Sequence, residues 1–136
     1  MNHQVRDWMT PDVISVPPSA TLDEADELMN SRHIRRLAVV TGTQLTGILS
    51  QGDVRAAKAT LVREAGGDEK RPTVEAIMTP HPITIPQTAS VALAATTMLQ
   101  LKVSGLPVVN DDGQLCGILS DSDLFRYIVE ISRTLN

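Results

Sequence analysis

The sequence predicts an α/β (α+β) fold built from two pseudo-symmetric repeats, each with the order strand, helix, strand, strand, helix. The first observation is a motif that occurs twice, as Gly47-Ile48-Leu49-Ser50-Gln51-Gly52-Asp53 and as Gly117-Ile118-Leu119-Ser120-Asp121-Ser122-Asp123. The second is that residues 9–41 and 78–110, aligned at an offset of 69, share 11 of 33 positions, where chance would give about two. A copy of about 65 residues is marginal as an independent domain, so we expect both copies to pack as one module.

Three local patterns define the elements of the first repeat, over residues 5–65. Thr21 and Glu24 have the spacing of a capping box, which predicts a helix start. Gly42-Thr43 between two apolar runs predicts a tight turn between strands. The helix that closes the repeat is expected to stop at Gly66-Gly67. The predicted elements are a strand over 13–16, a helix from Thr21, strands over 37–41 and 44–49, and a helix over 51–64.

The second repeat, over residues 74–134, follows a polar linker over 66–73 that contains two glycines and Pro72. Such a composition is typical of a connection and not of a regular element. The predicted elements are a strand over 82–85, a helix over 91–101, strands over 106–109 and 114–119, and a helix over 121–133.

The predicted helix over 91–101 is apolar on nearly every side, unlike its counterpart in the first repeat. A helix of this kind is buried on more than one face. The second face would contact another subunit, or the helix would lie inside the core of the chain. The sequence favours neither explanation over the other.

Composition excludes several functions. A net charge of −4 and an aromatic content of 2% argue against a nucleic-acid partner, which requires a basic surface and stacking platforms. Cys116 is the single cysteine, and His3, His33 and His81 lack metal-ligand spacing, so neither a metal site nor a catalytic set is expected. Because no apolar run approaches 18 residues and the N-terminus lacks a signal pattern, we expect a soluble, cytoplasmic chain with no membrane partner.

The Ser-x-x-Asp sequence that ends both motifs has two interpretations. Ser50 and Ser120 would cap the following helices, and Asp53 and Asp123 would favour the positive ends of the helix dipoles. Alternatively, the motif lies where an apolar strand meets a helix, which is the edge at which α/β units bind ligands. An ionised carboxylate there accepts hydrogen bonds from a ribose diol. Both interpretations stay open.

Arg35 and Arg36 immediately precede a predicted strand and also have two interpretations. They form either a solvated charge pair or a phosphate clamp, since guanidinium groups match phosphate oxygens. The second repeat has Ser104-Gly105 at the matching position. We therefore expect unequal clefts, with phosphates steered toward the arginines.

These motifs, in this order, resemble a tandem pair of cystathionine-β-synthase (CBS) domains from about Val5 to Tyr127. The resemblance rests on Met9-Thr10-Pro11 and Met78-Thr79-Pro80, on the segments 34–40 and 103–109, and on the two Gly-Ile-Leu-Ser-x-x-Asp motifs. It implies two facing sheets with two clefts that bind adenine nucleotides or related adenosyl ligands.

The resemblance also implies a role for each site residue. Asp53 and Asp123 would hold ribose with Ser50 and Ser120 beside them, while Arg35 and Arg36 would reach phosphate. The residues expected to enclose the base are Ile14, Ile83, Thr84, Leu37, Leu106 and Pro107. Ala38 departs from the family pattern, which has proline there as at Pro107, and this loosens the wall of the first cleft.

The leading hypothesis is a regulatory module that senses an adenosine-containing nucleotide such as AMP, ADP or ATP in the clefts between the repeats. It would act as a homodimer, without a catalytic cofactor. The alternative is an assembly module with empty clefts, whose task is dimerisation or partner docking. An enzyme is not expected, because the residues supply no nucleophile, base or metal set.

Overall fold

The structure is a computed structural model that describes residues 3–63 and 72–135. It divides into two compact units. The first unit comprises Ile14–Pro82, and the second unit comprises Met1–Val13 together with Ile83–Asn136. The opening segment of the chain thus belongs to the unit that contains most of the second repeat.

The first unit is a four-stranded sheet with three helices. Strand β1 runs parallel to β2, and the other neighbouring strands are antiparallel. Its elements are β1 (Ser15–Val16), α1 (Leu22–Arg32), β2 (Arg36–Thr41), β3 (Gln44–Ser50), α2 (Gln51–Arg63), α3 (Val74–Ile77) and β4 (Thr79–Pro80), with the strand order β1-β2-β3-β4.

The second unit repeats this plan with a three-stranded sheet. Its strands follow the order β5-β6-β7, the first pair parallel and the second antiparallel. Its elements are a 3₁₀ turn (Val5–Asp7), β5 (Ile85–Pro86), α4 (Val91–Leu101), β6 (Gly105–Val109), β7 (Leu115–Ser120) and α5 (Asp121–Leu135).

Equivalent hydroxyl caps start the first helix of each unit. The Thr21 hydroxyl accepts the Glu24 N–H at 3.1 Å, and the Ser90 hydroxyl accepts the Leu93 N–H at 3.0 Å. The helix start predicted at Thr21 is therefore confirmed. Both helices end at a residue in the left-handed region, His33 at φ 55° and Lys102 at φ 58°.

Equivalent leucines of the repeats lie in the two cores. Leu37 and Leu49 are fully buried in the first unit, and Leu106 and Leu119 are buried in the second. They come from adjacent antiparallel strands, β2 with β3 and β6 with β7. Each core therefore forms where one face of the sheet meets the helices of its own unit.

The Met-Thr-Pro segment near the start of each repeat packs against the last strand of the other repeat. Thr79 and Pro80 pair with Ile48 and Gly47 on β3. Thr10 exchanges two backbone hydrogen bonds with Ile118 on β7, of 2.8 and 3.0 Å. The two compact units have therefore exchanged the opening segments of the repeats.

Glycine is required at Gly47 and Gly117 by this close approach. A Cβ atom added at Gly47 would lie 2.4 Å from the sulfur of Met78, and one added at Gly117 would lie 2.4 Å from the sulfur of Met9. Both distances are far below van der Waals contact. The recurrence of Gly-Ile-Leu and of Met-Thr-Pro thus has one structural explanation.

Several predicted boundaries differ from the structure. The strands predicted over 13–16 and 82–85 shrink to Ser15–Val16 and Ile85–Pro86, and α5 extends to Leu135. Helix α3 and strand β4 were not predicted, because four-residue and two-residue elements carry no periodicity. Most of the predicted linker over 66–73, and the predicted helix stop at Gly66-Gly67, lie outside the described residues.

Helix α4 has the predicted bounds and buries only one of its apolar faces. Val91, Ala94 and Met98 are in the core, while Leu93 and Leu99 are 54% and 79% exposed. The explanation that α4 lies inside the core of the chain is therefore wrong, since its second apolar face meets solvent.

Candidate functional site

The candidate site of the first unit lies at the junction of β3 and α2. The Ser50 hydroxyl accepts the Asp53 N–H at 3.1 Å, and the Asp53 carboxylate accepts the Ser50 N–H at 2.8 Å. This is a reciprocal capping box, which satisfies two backbone donors at the helix start. The capping interpretation of Ser50 and Asp53 is thus realised in the geometry.

Other predicted residues gather at the same end of this sheet. Arg36 lies directly opposite Ser50 in the β2–β3 ladder, and the Arg35 carbonyl accepts the Gln51 N–H at 2.9 Å. The Ile14 carbonyl accepts the Ala38 N–H at 3.4 Å, just before β1 begins. Arg35 is exposed, Arg36 is half-buried and has a partner, and Ile14 is half-buried. The fold therefore places the backbones of Arg35 and Arg36 beside the start of α2, where Asp53 lies.

The equivalent junction in the second unit is more enclosed. Asp123 is 3% exposed. One of its carboxylate oxygens accepts the Ser120 N–H at 2.8 Å and the Ser120 hydroxyl at 3.1 Å. The other accepts an Arg126 N–H at 2.6 Å and the Thr10 hydroxyl at 3.5 Å. Asp123 thus caps α5, and its buried carboxylate also pairs with Arg126, whose side chain is 61% exposed.

The residues predicted to enclose a base differ in accessibility. Ile83 and Thr84 are exposed just before β5. Leu37 and Leu106 are buried in the two cores, and Pro107 is buried opposite Ile118. The two leucines therefore expose almost no surface that a base could contact.

Sequence reasoning missed Arg126 and Thr10. Arg126 follows Asp123 by three residues, a spacing that places both on one helix face, so the sequence contained a signal for it. Thr10 is 113 positions from Asp123, and no local pattern connects them.

Over the described ranges 3–63 and 72–135, no group of three His, Cys, Asp or Glu side chains is arranged to hold a metal ion. The helices in these ranges are all too short or too polar to cross a membrane.

Comparison with known proteins places the chain in context. The sequence model of the CBS domain matches twice, over residues 5–60 and 74–130. The chain is 34% identical over 116 residues to an inosine-5'-monophosphate dehydrogenase of Korarchaeum cryptofilum; the alignment covers 84% of this chain but only 22% of that protein.

Two solved structures match nearly the whole chain. CBSX2 of Arabidopsis thaliana, in a crystal structure with AMP, has a TM-score of 0.85 and 30% identity over 96% of this chain and 99% of its own. The CBS domain pair of protein MJ0100, in complex with 5'-methylthioadenosine and S-adenosyl-L-methionine, has a TM-score of 0.79 and 27% identity over 93% and 96%.

Proposed function

We propose that this chain, which belongs to the CBS domain family as a tandem pair, is a regulatory module. Its ligand would contain adenosine, as AMP, ADP and ATP do. The observation that carries this proposal is the grouping of Asp53, Arg35 and Arg36 at one end of the first unit's sheet. A carboxylate suits the ribose diol, and guanidinium groups suit phosphate. The AMP bound to CBSX2 supports the same ligand class.

The capping role of Asp53 is compatible with ligand binding. A carboxylate offers about four lone-pair positions, and the Ser50 N–H uses one of them. The remaining positions suffice for both hydroxyls of a ribose. The cap would hold the carboxylate in one orientation before the ligand arrives, which lowers the entropy lost on binding.

A thermal-shift screen tests the proposal with adenosine, AMP, ADP, ATP and S-adenosylmethionine as probes. A ligand at 100 times its dissociation constant stabilises the folded state by about 2.7 kcal/mol, which raises Tm by roughly 8–10 °C in a chain of this size. If none of the five probes raises Tm, the proposed ligand class is wrong.

The Asp53→Asn variant then tests whether Asp53 contacts the ligand. The substitution keeps the size of the side chain and removes its charge, and a hydrogen bond to a charged group is worth about 1.5–3 kcal/mol. We expect at least tenfold weaker binding of the best probe by calorimetry. Glu24→Gln is the matched control, because Glu24 is the third residue of α1 and its carboxylate accepts the hydroxyl of Thr21, which caps that helix. Equal affinities for the two variants would show that Asp53 only supports its helix.

The arginines are tested by changing both Arg35 and Arg36 to Ala. If they contact phosphate, the double variant loses much more affinity for AMP and ATP than for adenosine. Arg35→Ala alone should change the Tm of the unliganded protein little, because Arg35 is exposed and exposed arginines contribute little to stability. Arg36 is half-buried and has a partner, so the Tm of the double variant is measured beside its affinities. Equal losses for adenosine and ATP would exclude a phosphate clamp.

Homodimerisation is the second part of the proposal. Helices α4 and α5 of the second unit border an apolar groove of about 420 Å³, and Leu99, Phe125 and Ile128 on its walls are 79%, 64% and 54% exposed. Large apolar side chains exposed side by side mark surfaces that bind another protein. We propose that a second copy of the chain covers this groove.

Light scattering tests the dimer. The expected mass is about twice the 14.7 kDa of the chain, and Leu99→Glu should shift the protein toward monomer. Leu135→Glu is the control, since Leu135 is 81% exposed but does not line the groove. A monomer at tens of micromolar would contradict the proposal. A dimer that binds none of the adenosine probes would instead support the assembly module with empty clefts.

In this proposal the chain senses a nucleotide in the cytoplasm and carries out no reaction. We therefore expect ATP or AMP incubated with the protein to be recovered unchanged by chromatography. Turnover that follows the purified protein through its peak would contradict this part of the proposal.

A further inference from the structure

We infer that Arg126 occupies the ligand position of the second unit, so that the first unit alone is open to a ribose. The inference rests on the proposed function, because it concerns which of the two aspartates receives the ligand. The Arg126 side chain would compete with a ligand for the Asp123 carboxylate.

The contacts of Asp123 show why its carboxylate is closed. The four donors described above use both of its oxygens, and the shortest contact is the 2.6 Å ion pair with Arg126. The same Arg126 nitrogen donates to the Trp8 carbonyl at 3.1 Å. Trp8 in turn packs edge-on against Tyr127, with ring centroids 5.2 Å apart. Arg126 is thereby held over Asp123 by the opening segment of the chain.

The first unit lacks this competitor. At the offset of 70 that relates the two motifs, Arg126 corresponds to Ala56, as Asp123 corresponds to Asp53. Alanine has no donor to offer the carboxylate. Among the described residues, Asp53 accepts the Ser50 N–H and no further side-chain donor, so its second oxygen is open.

The charged side chains near the two aspartates also favour ligand binding in the first unit. Arg35 and Arg36 lie at the start of β2 in the first unit, whereas the second unit has Ser104-Gly105 there and adds Asp121 to the first turn of α5. The positive charge of Arg126 is neutralised by Asp123. A phosphate-bearing ligand is therefore attracted to the first unit and repelled by the acidic start of α5 in the second.

A diol that binds Asp123 must first displace a charged donor from a buried carboxylate. Such hydrogen bonds are about twice as strong as neutral ones, and a ribose hydroxyl is a neutral donor. Removing the guanidinium removes this competition and leaves the carboxylate with Ser120 and Thr10 as partners.

Calorimetry with AMP and with adenosine as probes tests the inference. Adenosine is included because the second unit has no arginine pair to recognise phosphate. We expect one AMP per wild-type chain, and we expect Asp53→Asn to abolish or weaken this binding at least tenfold. Arg126→Ala should raise the adenosine stoichiometry from one toward two per chain.

The reciprocal exchange is Ala56→Arg, which places an arginine three residues after Asp53 at an exposed position. We expect it to weaken AMP binding at least tenfold by pairing with Asp53. Arg133→Ala is the matched control for Arg126→Ala. Arg133 also lies on α5 and forms an ion pair with Glu130, three residues before it, as Arg126 does with Asp123. The control should leave both stoichiometry and affinity unchanged.

Two equal AMP sites in the wild-type chain would overturn the inference and leave the proposed function intact. An adenosine stoichiometry that stays at one in Arg126→Ala, or an AMP affinity unchanged by Ala56→Arg, would also overturn it. If Arg126→Ala fails to fold, Arg126→Gln replaces it, and Ala56→Arg decides independently. Absence of binding to every variant would refute the proposed function and this inference together.

Discussion

Replacing Gly117 by alanine tests the exchange of opening segments between the two repeats. The added Cβ atom would lie 2.4 Å from the Met9 sulfur and 3.1 Å from the Thr10 carbonyl oxygen. The methionine must move, and the backbone carbonyl has little room to do so. Overpacking of this kind costs about 1–3 kcal/mol, while the loss of glycine from the unfolded chain stabilises the protein by about 0.4–1 kcal/mol.

The midpoints of these two ranges give a net loss of about 1.3 kcal/mol, which lowers Tm by roughly 4–5 °C in a chain of this length. Thermal unfolding followed by circular dichroism measures the change. The partner variant is Met9→Ala, which removes the sulfur that the new Cβ atom meets. In that background, Gly117→Ala should cost less than it does in the wild type, because the collision with the Met9 sulfur no longer exists. Only the 3.1 Å approach to the Thr10 carbonyl oxygen remains.

Gly52→Ala is the control for glycine replacement itself. Its added Cβ atom would meet only the Ser50 hydroxyl oxygen within 4 Å, at 3.6 Å, so the substitution should stabilise the protein by up to about 1 kcal/mol. A Gly117→Ala variant as stable as the wild type would refute the packing argument. The same refutation follows if Met9→Ala does not reduce its cost.

Two further outcomes follow from local geometry. Burial raises the pKa of the Cys116 thiol above its ordinary value, so less thiolate is present at pH 8 than for an exposed cysteine. The reaction of Cys116 with DTNB should therefore be slower in the folded chain than in urea, and it should accelerate as pH rises. Equal rates in the folded chain and in urea would contradict this. Lys102 ends α4 at φ 58°, and a residue other than glycine in the left-handed region costs about 1 kcal/mol. Lys102→Gly should therefore raise Tm by roughly 4 °C. A lower Tm would show that the lysine side chain stabilises the helix end.

The helices were the most predictable part of the fold. The bounds of α4 match the predicted 91–101, and α1 begins after the predicted cap Thr21, whose hydroxyl accepts the Glu24 N–H. These features depend on residues within one or two turns, which a sequence window contains. Strand β4 depends instead on β3 as its partner, and Thr79-Pro80 taken alone has no strand pattern.

The grouping of Ser50, Asp53, Arg35 and Arg36 was predictable from the sequence, but their hydrogen bonds were not. Ser50, Asp53, Arg35 and Arg36 lie together as adjacent strand ends require. Whether the acids cap helices could not be decided from spacing, because capping and ligand binding use the same residue types. The described contacts show that both do cap, and a role in binding stays a prediction.

The longer helices and strands, their order and their duplication could be read from the sequence, since helix caps, turns and apolar alternation are properties of short segments. The short elements α3 and β4 could not. The tertiary structure decided which opening segment packs on which sheet and which aspartate is enclosed. Thr10 and Trp8 reach Asp123 and Arg126 across 113 and 118 positions, and the equivalent segment at Met78 lies on the other unit. Two nearly identical motifs thus end in different electrostatic surroundings, because their neighbours come from distant parts of the chain.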